Sequence, residues 1–145
     1  DVLVVGREVF VGLSTRTNNA AVAQMRATLE PYGYVVRAVT VRGALHLKSA
    51  VTALDAATLL VNEHWIDSDR FGRFTCIDVD PSEPSAANAL RLADRIIFPA
   101  AFPRTAERLV KCGFRLEIVD ASELAKAEGA VTCCSLIVNT AAAQP

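Results

Sequence analysis

Apolar residues recur at two spacings along the chain, and the change between them predicts an alternation of short strands and helices. Runs rich in β-branched residues, such as Val2–Val5, are typical of strands. Val22, Met25 and Leu29 instead fall at helical spacing and form one apolar stripe. The predicted strands span 2–5, 8–13, 34–41, 48–52, 58–61, 74–79, 89–92, 95–98, 114–119 and 131–138. The predicted helices span 20–30, 64–71, 103–112 and 122–127.

The order strand, strand, helix, strand occurs near residues 2–40 and again near 88–119, with a less regular version between them. A repeated unit of this kind indicates modules arranged around an axis rather than one doubly wound sheet. We therefore expect an α/β fold in which residues 1–139 belong to one domain. The segment 140–145 has no apolar pattern, so we expect a frayed, disordered tail there.

Composition narrows the class of protein. The chain has 145 residues, of which 52% are hydrophobic and 21% charged, as in a globular domain. Its formal net charge of −1 gives no basic footprint, so we expect no nucleic-acid partner. No apolar run approaches a membrane span and no secretory signal opens the chain, so we expect no membrane association. The chain starts within a strand-like run and without methionine, which predicts that it is part of a longer protein.

The four cysteines make neither a CxxC pair nor a secreted disulfide framework, which favours a reducing, cytoplasmic location. Cys133 lies between a glycine-bearing turn and an apolar run, and His46 lies in a distant loop that could supply its base. Arg16 lies in a polar turn, where its planar guanidinium suits a carboxylate. From the local sequence alone, a buried structural thiol and a solvated arginine fit as well. Cys76 and Cys112 are expected to be core thiols.

Three ordered segments together resemble one family. They are residues 6–18 (GREVFVGLSTRTN), 45–49 (LHLKS) and 132–135 (TCCS), and they are similar to motifs of the dimethylarginine dimethylaminohydrolases. Residues 84–88 (PSAAN) and 122–124 (SEL) also fall in family-like positions. The resemblance spans nearly the whole chain. It implies a propeller of ββαβ modules with pseudo-fivefold symmetry, the pentein fold, of which this chain would be about half.

The resemblance also implies an activity that uses no cofactor. The expected reaction is hydrolysis of N-omega-methylated arginine, a small-molecule substrate, to citrulline and methylamine or dimethylamine. Cys133 would form a covalent thiouronium intermediate, with His46 as acid and then base. Arg16 would bind the α-carboxylate of the substrate, and the backbone carbonyl of Ala127 its α-amino group. We expect no catalytic metal. Cys134 is expected to be a bystander, or else to join Cys133 and His46 in an inhibitory zinc site.

Two parts of the family pattern are missing from this chain. The family has an acidic residue that orients the histidine, and it would lie three residues before Asp1. The N-terminal half, with the carboxylates that grip the guanidinium, is also outside the chain. We therefore expect the chain to be inactive alone and to need that half or a partner chain.

Two other functions stay open. Arginine deiminases and other amidino-group enzymes of the same superfamily tend to carry His-x-Asp, and Lys48 occupies the position of that aspartate here. Lys48 therefore favours the dimethylarginine enzymes. The second alternative is a non-catalytic, truncated module that associates with a partner chain through exposed strand edges and apolar surface.

Overall fold

The structure is a computed structural model that describes residues 1–138, and the predicted tail 140–145 lies outside these residues. The strands are β1 Val2–Val5, β2 Glu8–Leu13, β3 Val35–Thr40, β4 Val51–Ala53, β5 Thr58–Val61, β6 Thr75–Asp78, β7 Leu90–Leu92, β8 Arg95–Pro99 and β9 Leu116–Val119. The helices are α1 Asn19–Leu29, α2 Leu47–Ala50, α3 Pro103–Lys111 and α4 Ser122–Lys126. Short 3₁₀ helices span Glu30–Tyr32 and Ser68–Phe71.

The strands form three separate three-stranded sheets, each with its strands in chain order. In every sheet the first two strands are antiparallel and the last two are parallel. The parallel pair is joined by α1 in the first module and by α3 in the third. A 3₁₀ helix takes this place in the second module, which explains its less regular sequence pattern. The predicted α/β fold of repeated ββαβ modules is confirmed.

Apolar side chains join neighbouring modules. Between the first and second modules, Phe10 packs against Phe71 with ring centroids 4.9 Å apart, and Leu47 of α2 is fully buried in the same cluster. Between the second and third modules, Leu60 and Phe98 belong to another fully buried cluster. Since α2 is anchored by Leu47, the position of the residue before it is set by the core between two modules.

Two predicted strands are wrong. Residues 47–50 form the single helical turn α2, so only the end of the predicted strand 48–52 is extended, as part of β4. Residues 131–134 form a turn, and no strand is present over 131–138. A strand needs a neighbour to accept its backbone hydrogen bonds, and none of the described strands pairs with this segment. The predicted helix 64–71 is also shorter, since only Ser68–Phe71 is helical. Within residues 1–138, no helix is long and apolar enough to cross a membrane.

The N-terminus of α3 is capped by a residue from a distant loop. Phe102 occupies the N-cap position and its side chain makes no capping hydrogen bond. The carboxylate of Glu83 instead accepts hydrogen bonds from the backbone N–H groups of Arg104 at 3.0 Å and Thr105 at 2.8 Å. These are two of the N–H groups that a helix leaves without an internal partner. Glu83 therefore fixes where the third module begins its helix.

We expect Glu83→Ala to lower the free energy of unfolding by about 1–2 kcal/mol, because the two N–H groups of α3 lose their buried acceptor. Urea denaturation followed by circular dichroism measures this change. Glu107→Ala is the matched control, since Glu107 lies on the same helix with an exposed side chain. An equal loss in both variants would contradict the capping role.

Candidate active site

A cleft of about 820 Å³ opens between the second and third modules. Its walls come from the loop between β3 and α2, from the segment between β8 and α3, and from α4 with the turn that follows it. The lining residues are Gly43, Ala44, Leu45, Ser49, Trp65, Ser85, Asn88, Pro99, Ala100, Ala101, Phe102, Asp120, Ala121, Ser122, Ala125, Glu128, Gly129 and Ala130. The cleft is therefore flanked by the segments that carry His46 and Cys133.

His46 occupies the N-cap position of α2 in an extended backbone conformation, with φ −126° and ψ 148°. Its side chain is exposed, while Leu47 beside it is fully buried. Leu45 and Ser49, on either side of His46 in sequence, line the cleft. The hydrogen bonds within residues 1–138 include none to the His46 imidazole, so no orienting acceptor is present in that part of the chain.

Cys133 is exposed in the turn that follows the cleft residue Ala130. The backbone N–H of Ala130 donates to its Sγ at 3.1 Å, and the Sγ lies 3.3 Å from the Ala130 carbonyl oxygen. The Cys133 sulfur thus both accepts from and donates to the backbone of Ala130, and these two contacts fix its position in the turn. The position thus combines solvent access with a hydrogen-bond donor, which are two properties of reactive cysteines.

The pKa of the Cys134 thiol is raised above its usual value. Its Sγ lies 3.8 Å from Cys133 Sγ. A hydrogen bond to the Cys133 sulfur is the main cause of this rise. Slight desolvation and the charge of Cys133 add to it, and a backbone hydrogen bond at Ala130 opposes it. Burial also raises the pKa of the Cys76 thiol, and the nearby Glu63 adds to this effect. Cys134 and Cys76 should therefore remain protonated at neutral pH.

Asn88 connects the histidine and cysteine segments. Its Nδ2 donates to the Lys48 carbonyl oxygen at 2.9 Å and to Thr132 Oγ1 at 2.8 Å. Its Oδ1 accepts from the backbone N–H of Thr132 at 3.1 Å. The structure thus brings together the two segments that the sequence analysis expected to meet. Within residues 1–138, no hydrogen bond joins Cys133 Sγ to the His46 imidazole itself.

Asp1 connects the histidine segment to the turn that carries Arg16. One carboxylate oxygen accepts from the backbone N–H of Leu47 at 3.2 Å, and the other accepts from Thr17 Oγ1 at 2.9 Å. Arg16 is exposed and does not line the cleft. No ion pair within residues 1–138 involves its guanidinium. The link through Asp1 ties the backbone near Arg16 to the start of α2.

Ala127 ends α4, and none of the hydrogen bonds within residues 1–138 uses its carbonyl oxygen. Glu128 follows it with φ +56°, a left-handed conformation that is costly for a residue other than glycine. Strain of this kind often occurs next to functional residues. Glu128 lines the cleft, and the strained backbone here separates α4 from the Cys133 turn.

Sequence reasoning assigned no function to Trp65 or Asp120, which line the cleft, because neither belongs to a recognised motif. It named Asn88 only as part of a family-like segment. No three His, Cys, Asp or Glu side chains of residues 1–138 are grouped so that they could hold a metal ion. The inhibitory zinc site at Cys133 and His46 therefore stays a prediction, without a preformed ligand cluster in the described residues.

We expect Gly43→Ala to displace the indole of Trp65, the single tryptophan of the chain. A methyl group at Gly43 would overlap the indole Cδ1, and the backbone there has φ +59°. Gly33→Ala is the matched control, because Gly33 has φ +78° in the left-handed region with no atom within 4 Å of the added methyl. Both variants should lose about 1–2 kcal/mol of stability through the backbone. Only Gly43→Ala should shift the tryptophan emission maximum, and a shift in both would contradict the steric contact.

No family model matches the chain. Over 94% of its length it is 42% identical to N(G),N(G)-dimethylarginine dimethylaminohydrolase of Streptomyces coelicolor. Over 94% of its length it is also 36% identical to the protein of the same name from Pseudomonas aeruginosa. The chain spans 52% and 54% of these two relatives, about half the length of each.

Solved structures agree with the sequence relatives. One is the structure of the Pseudomonas aeruginosa protein, a cysteine-to-serine mutant complexed with citrulline. It has a TM-score of 0.82 and 35% sequence identity, and the match covers 91% of this chain and 52% of that protein. Another is a dimethylarginine dimethylaminohydrolase adduct with S-methyl-L-thiocitrulline. It has a TM-score of 0.84 and 35% sequence identity, and the match covers 94% of this chain and 54% of that protein. An amidinotransferase from Microseira wollei shares the fold, with a TM-score of 0.86 and 20% sequence identity. The match covers 96% of this chain and 46% of the length of the amidinotransferase.

The repeated ββαβ modules and these structural matches define the class of the protein, the pentein fold. Its sequence similarity places it more narrowly. The chain is similar to the dimethylarginine dimethylaminohydrolases along 94% of its own length, and it spans about half the length of these curated relatives.

Proposed function

We propose that this chain supplies the nucleophile and the acid–base residue of an enzyme that hydrolyses N-omega-methylated arginine to citrulline and methylamine or dimethylamine. The observation that carries the proposal is the pair of contacts from Asn88 to the histidine and cysteine segments beside one cleft. These contacts occur in a chain whose relatives bear the name of that activity.

In the proposed mechanism, the Cys133 thiolate attacks the guanidinium carbon and forms a C–S bond. His46 gives a proton to the methylated nitrogen, the C–N bond breaks, and the amine leaves. The resulting thiouronium is attacked by a water molecule whose proton passes to His46. Collapse of this second adduct forms the carbonyl of citrulline and breaks the C–S bond, so that the Cys133 thiolate is released. The remaining hydroxyl proton passes to solvent, and His46 is again protonated as at the start. The Ala130 N–H, which donates to Cys133 Sγ at 3.1 Å, holds the sulfur in place for the first step.

The charge of the cleft supports a cationic substrate. The charged residues that line it, Asp120 and Glu128, are both acidic. A hydrogen bond from the backbone of Ser122 is the main cause that holds the pKa of the Asp120 carboxyl below its usual value. Asp120 is therefore ionised at neutral pH and favours a guanidinium nearby. We further propose that Arg16 binds the substrate α-carboxylate and that the Ala127 carbonyl accepts from its α-amino group.

The proposal includes the need for the other half of the protein or for a partner chain. An apolar groove of about 550 Å³ lies between α3 and β9. Val110 and Ile118 in this groove expose 58% and 51% of their surface, which is unusual for large apolar residues of a monomer. The proposed location is cytoplasmic, which the four free thiols support.

Citrulline formation from asymmetric dimethylarginine tests the function. The chain is assayed alone and mixed with the N-terminal half of the Streptomyces coelicolor relative. We expect citrulline only from the mixture, and none when Cys133 is replaced. Faster turnover of arginine than of dimethylarginine would favour an arginine deiminase-like activity instead. Citrulline from the chain alone would contradict the need for a second half.

A further inference from the structure

We propose that Asn88 is a positioning residue, which holds the segment of His46 and the segment of Cys133 at a fixed separation for proton transfer. This inference rests on the proposed function. Asn88 is only 6% exposed, and its side-chain amide uses both kinds of hydrogen-bonding group. Its Nδ2 donates in two directions, to the Lys48 carbonyl and to Thr132 Oγ1, and its Oδ1 accepts from the Thr132 N–H.

The two segments that Asn88 joins are short. The cysteine segment has few other anchors, whereas α2 is also held by the buried Leu47. Lys48 belongs to the one-turn helix α2, which starts directly after His46. Thr132 directly precedes Cys133 in an otherwise exposed turn, where only Val131 is buried. The amide therefore spans the space between the two candidate catalytic residues through one backbone carbonyl and one backbone N–H. Loss of the amide would leave buried polar groups on both sides without partners.

The backbone of Asn88 is itself held in place on both sides. Thr52 of β4 is buried, and its hydroxyl donates to the Ala87 carbonyl oxygen at 2.7 Å. The same hydroxyl oxygen accepts from the Ala89 N–H at 3.1 Å. The residues before and after Asn88 are thus both bound to one side chain. Asn88 starts from a fixed backbone, which a residue that positions two other segments requires.

The chemistry of the amide permits a selective test. In Asn88→Asp the shape is kept, and the carboxylate can still accept from the Thr132 N–H and from the Thr132 hydroxyl after it rotates. A carboxylate cannot donate to the Lys48 carbonyl, so the link on the histidine side is lost. Asn88→Asp therefore removes the hydrogen bond to the histidine segment and keeps those to the cysteine segment, by replacing one NH₂ group with an oxygen.

Asn62 is the matched control. It is 1% exposed, its Nδ2 donates to the Pro84 carbonyl at 2.8 Å, and its Oδ1 accepts from the His64 N–H at 3.0 Å. It has the same chemistry as Asn88 but contacts neither Lys48 nor Thr132. Asn62→Asp should cost comparable stability, because a buried amide donor is lost in both variants.

The experiment measures the rate at which 2-chloroacetamidine labels Cys133 of the 145-residue chain between pH 5 and 9, by peptide mass spectrometry, alongside urea denaturation. We expect labelling at neutral pH to fall roughly ten- to a hundredfold in Asn88→Asp. Its pH profile should become that of His46→Ala. After correction for the fraction of folded protein, Asn62→Asp should keep the labelling rate and the pH profile of the unsubstituted chain.

The outcomes separate this inference from the proposed function. If Asn88→Asp keeps the unsubstituted rate and profile while His46→Ala loses them, Asn88 is only structural and the inference is overturned. If Cys133 of the unsubstituted chain is labelled no faster than the exposed Cys112, the proposed nucleophile fails and the inference fails with it. If Asn62→Asp changes the profile as Asn88→Asp does, the effect is one of stability and the inference is again overturned.

Discussion

Replacing Cys133 with serine is expected to abolish labelling by 2-chloroacetamidine at neutral pH. Citrulline formation by the complemented chain should fall by roughly 10³-fold or more, because a serine hydroxyl is not ionised there. The selectivity follows from the local acidities. The hydrogen bond to Cys133 raises the pKa of Cys134, and burial raises that of Cys76, so neither thiol supplies much thiolate at pH 7.

Cys134→Ser and Cys112→Ser serve as controls for this result. Both residues are exposed, so their replacement disturbs little packing, and the prediction of Cys112 as a core thiol is wrong. In each variant, most of the labelling of Cys133 should remain, as measured by mass spectrometry of the peptide that contains Cys133. If label instead accumulates on Cys134 in the unsubstituted chain, the assignment of Cys133 as the nucleophile is wrong.

Replacing Phe10 with alanine is expected to lower the free energy of unfolding by about 3–5 kcal/mol. Phe10 is fully buried, and its ring centroid lies 4.9 Å from that of Phe71 and 5.8 Å from that of Phe74. The cavity would open between the first two modules, in the cluster that also contains Leu47. The orientation of α2, and with it the position of His46, should therefore be perturbed as well.

Urea denaturation followed by circular dichroism measures the loss, and chloroacetamidine labelling of Cys133 reports on the site. Tyr32→Ala is the control, because Tyr32 is an aromatic residue that is 71% exposed. It should change stability by less than about 0.5 kcal/mol. A loss below about 1 kcal/mol for Phe10→Ala would show that the two modules are not held together by this cluster.

The modules could be predicted because their signals are local. Alternation and helical spacing within 2–40 and 90–119 reflect contacts between neighbours in sequence, and both the strand pairs and the crossover helices appear where expected. The second module was less regular in sequence because its crossover is a 3₁₀ helix, Ser68–Phe71, with too few residues to show a helical period.

The strand predicted over 131–138 shows what local signals cannot supply. Leu136, Ile137 and Val138 favour a strand by their side chains, yet Leu136 is 89% exposed and no strand within residues 1–138 pairs with them. A strand depends on a partner that lies far away in sequence or in another part of the protein. Propensity alone therefore gave the wrong conformation for the residues that follow Cys133.

The candidate site was predictable only in part, for a similar reason. The resemblance pointed to Cys133 and His46, and the structure brings their segments to one cleft. The contribution of Asn88 depends on contacts with residues 40 and 44 positions away, which no local pattern reveals. Trp65 likewise lines the cleft because Gly43 leaves room for its indole, and this contact also joins distant positions.

The separation of the three sheets has a consequence for how the chain folds. Within residues 1–138 each ladder closes inside one stretch of sequence, 2–40, 51–78 or 90–119, and one isolated bridge, Val41 to Ile66, lies outside the named strands. The backbone pairings thus have low contact order, although one of the two strand pairs in each sheet is parallel, and such pairings form quickly. Association between modules then depends on side-chain burial and on hydrogen bonds outside the sheets, such as those of Thr52 and Asn88. The slow step of folding should accordingly be the docking of preformed units, at which the two halves of the cleft first come together.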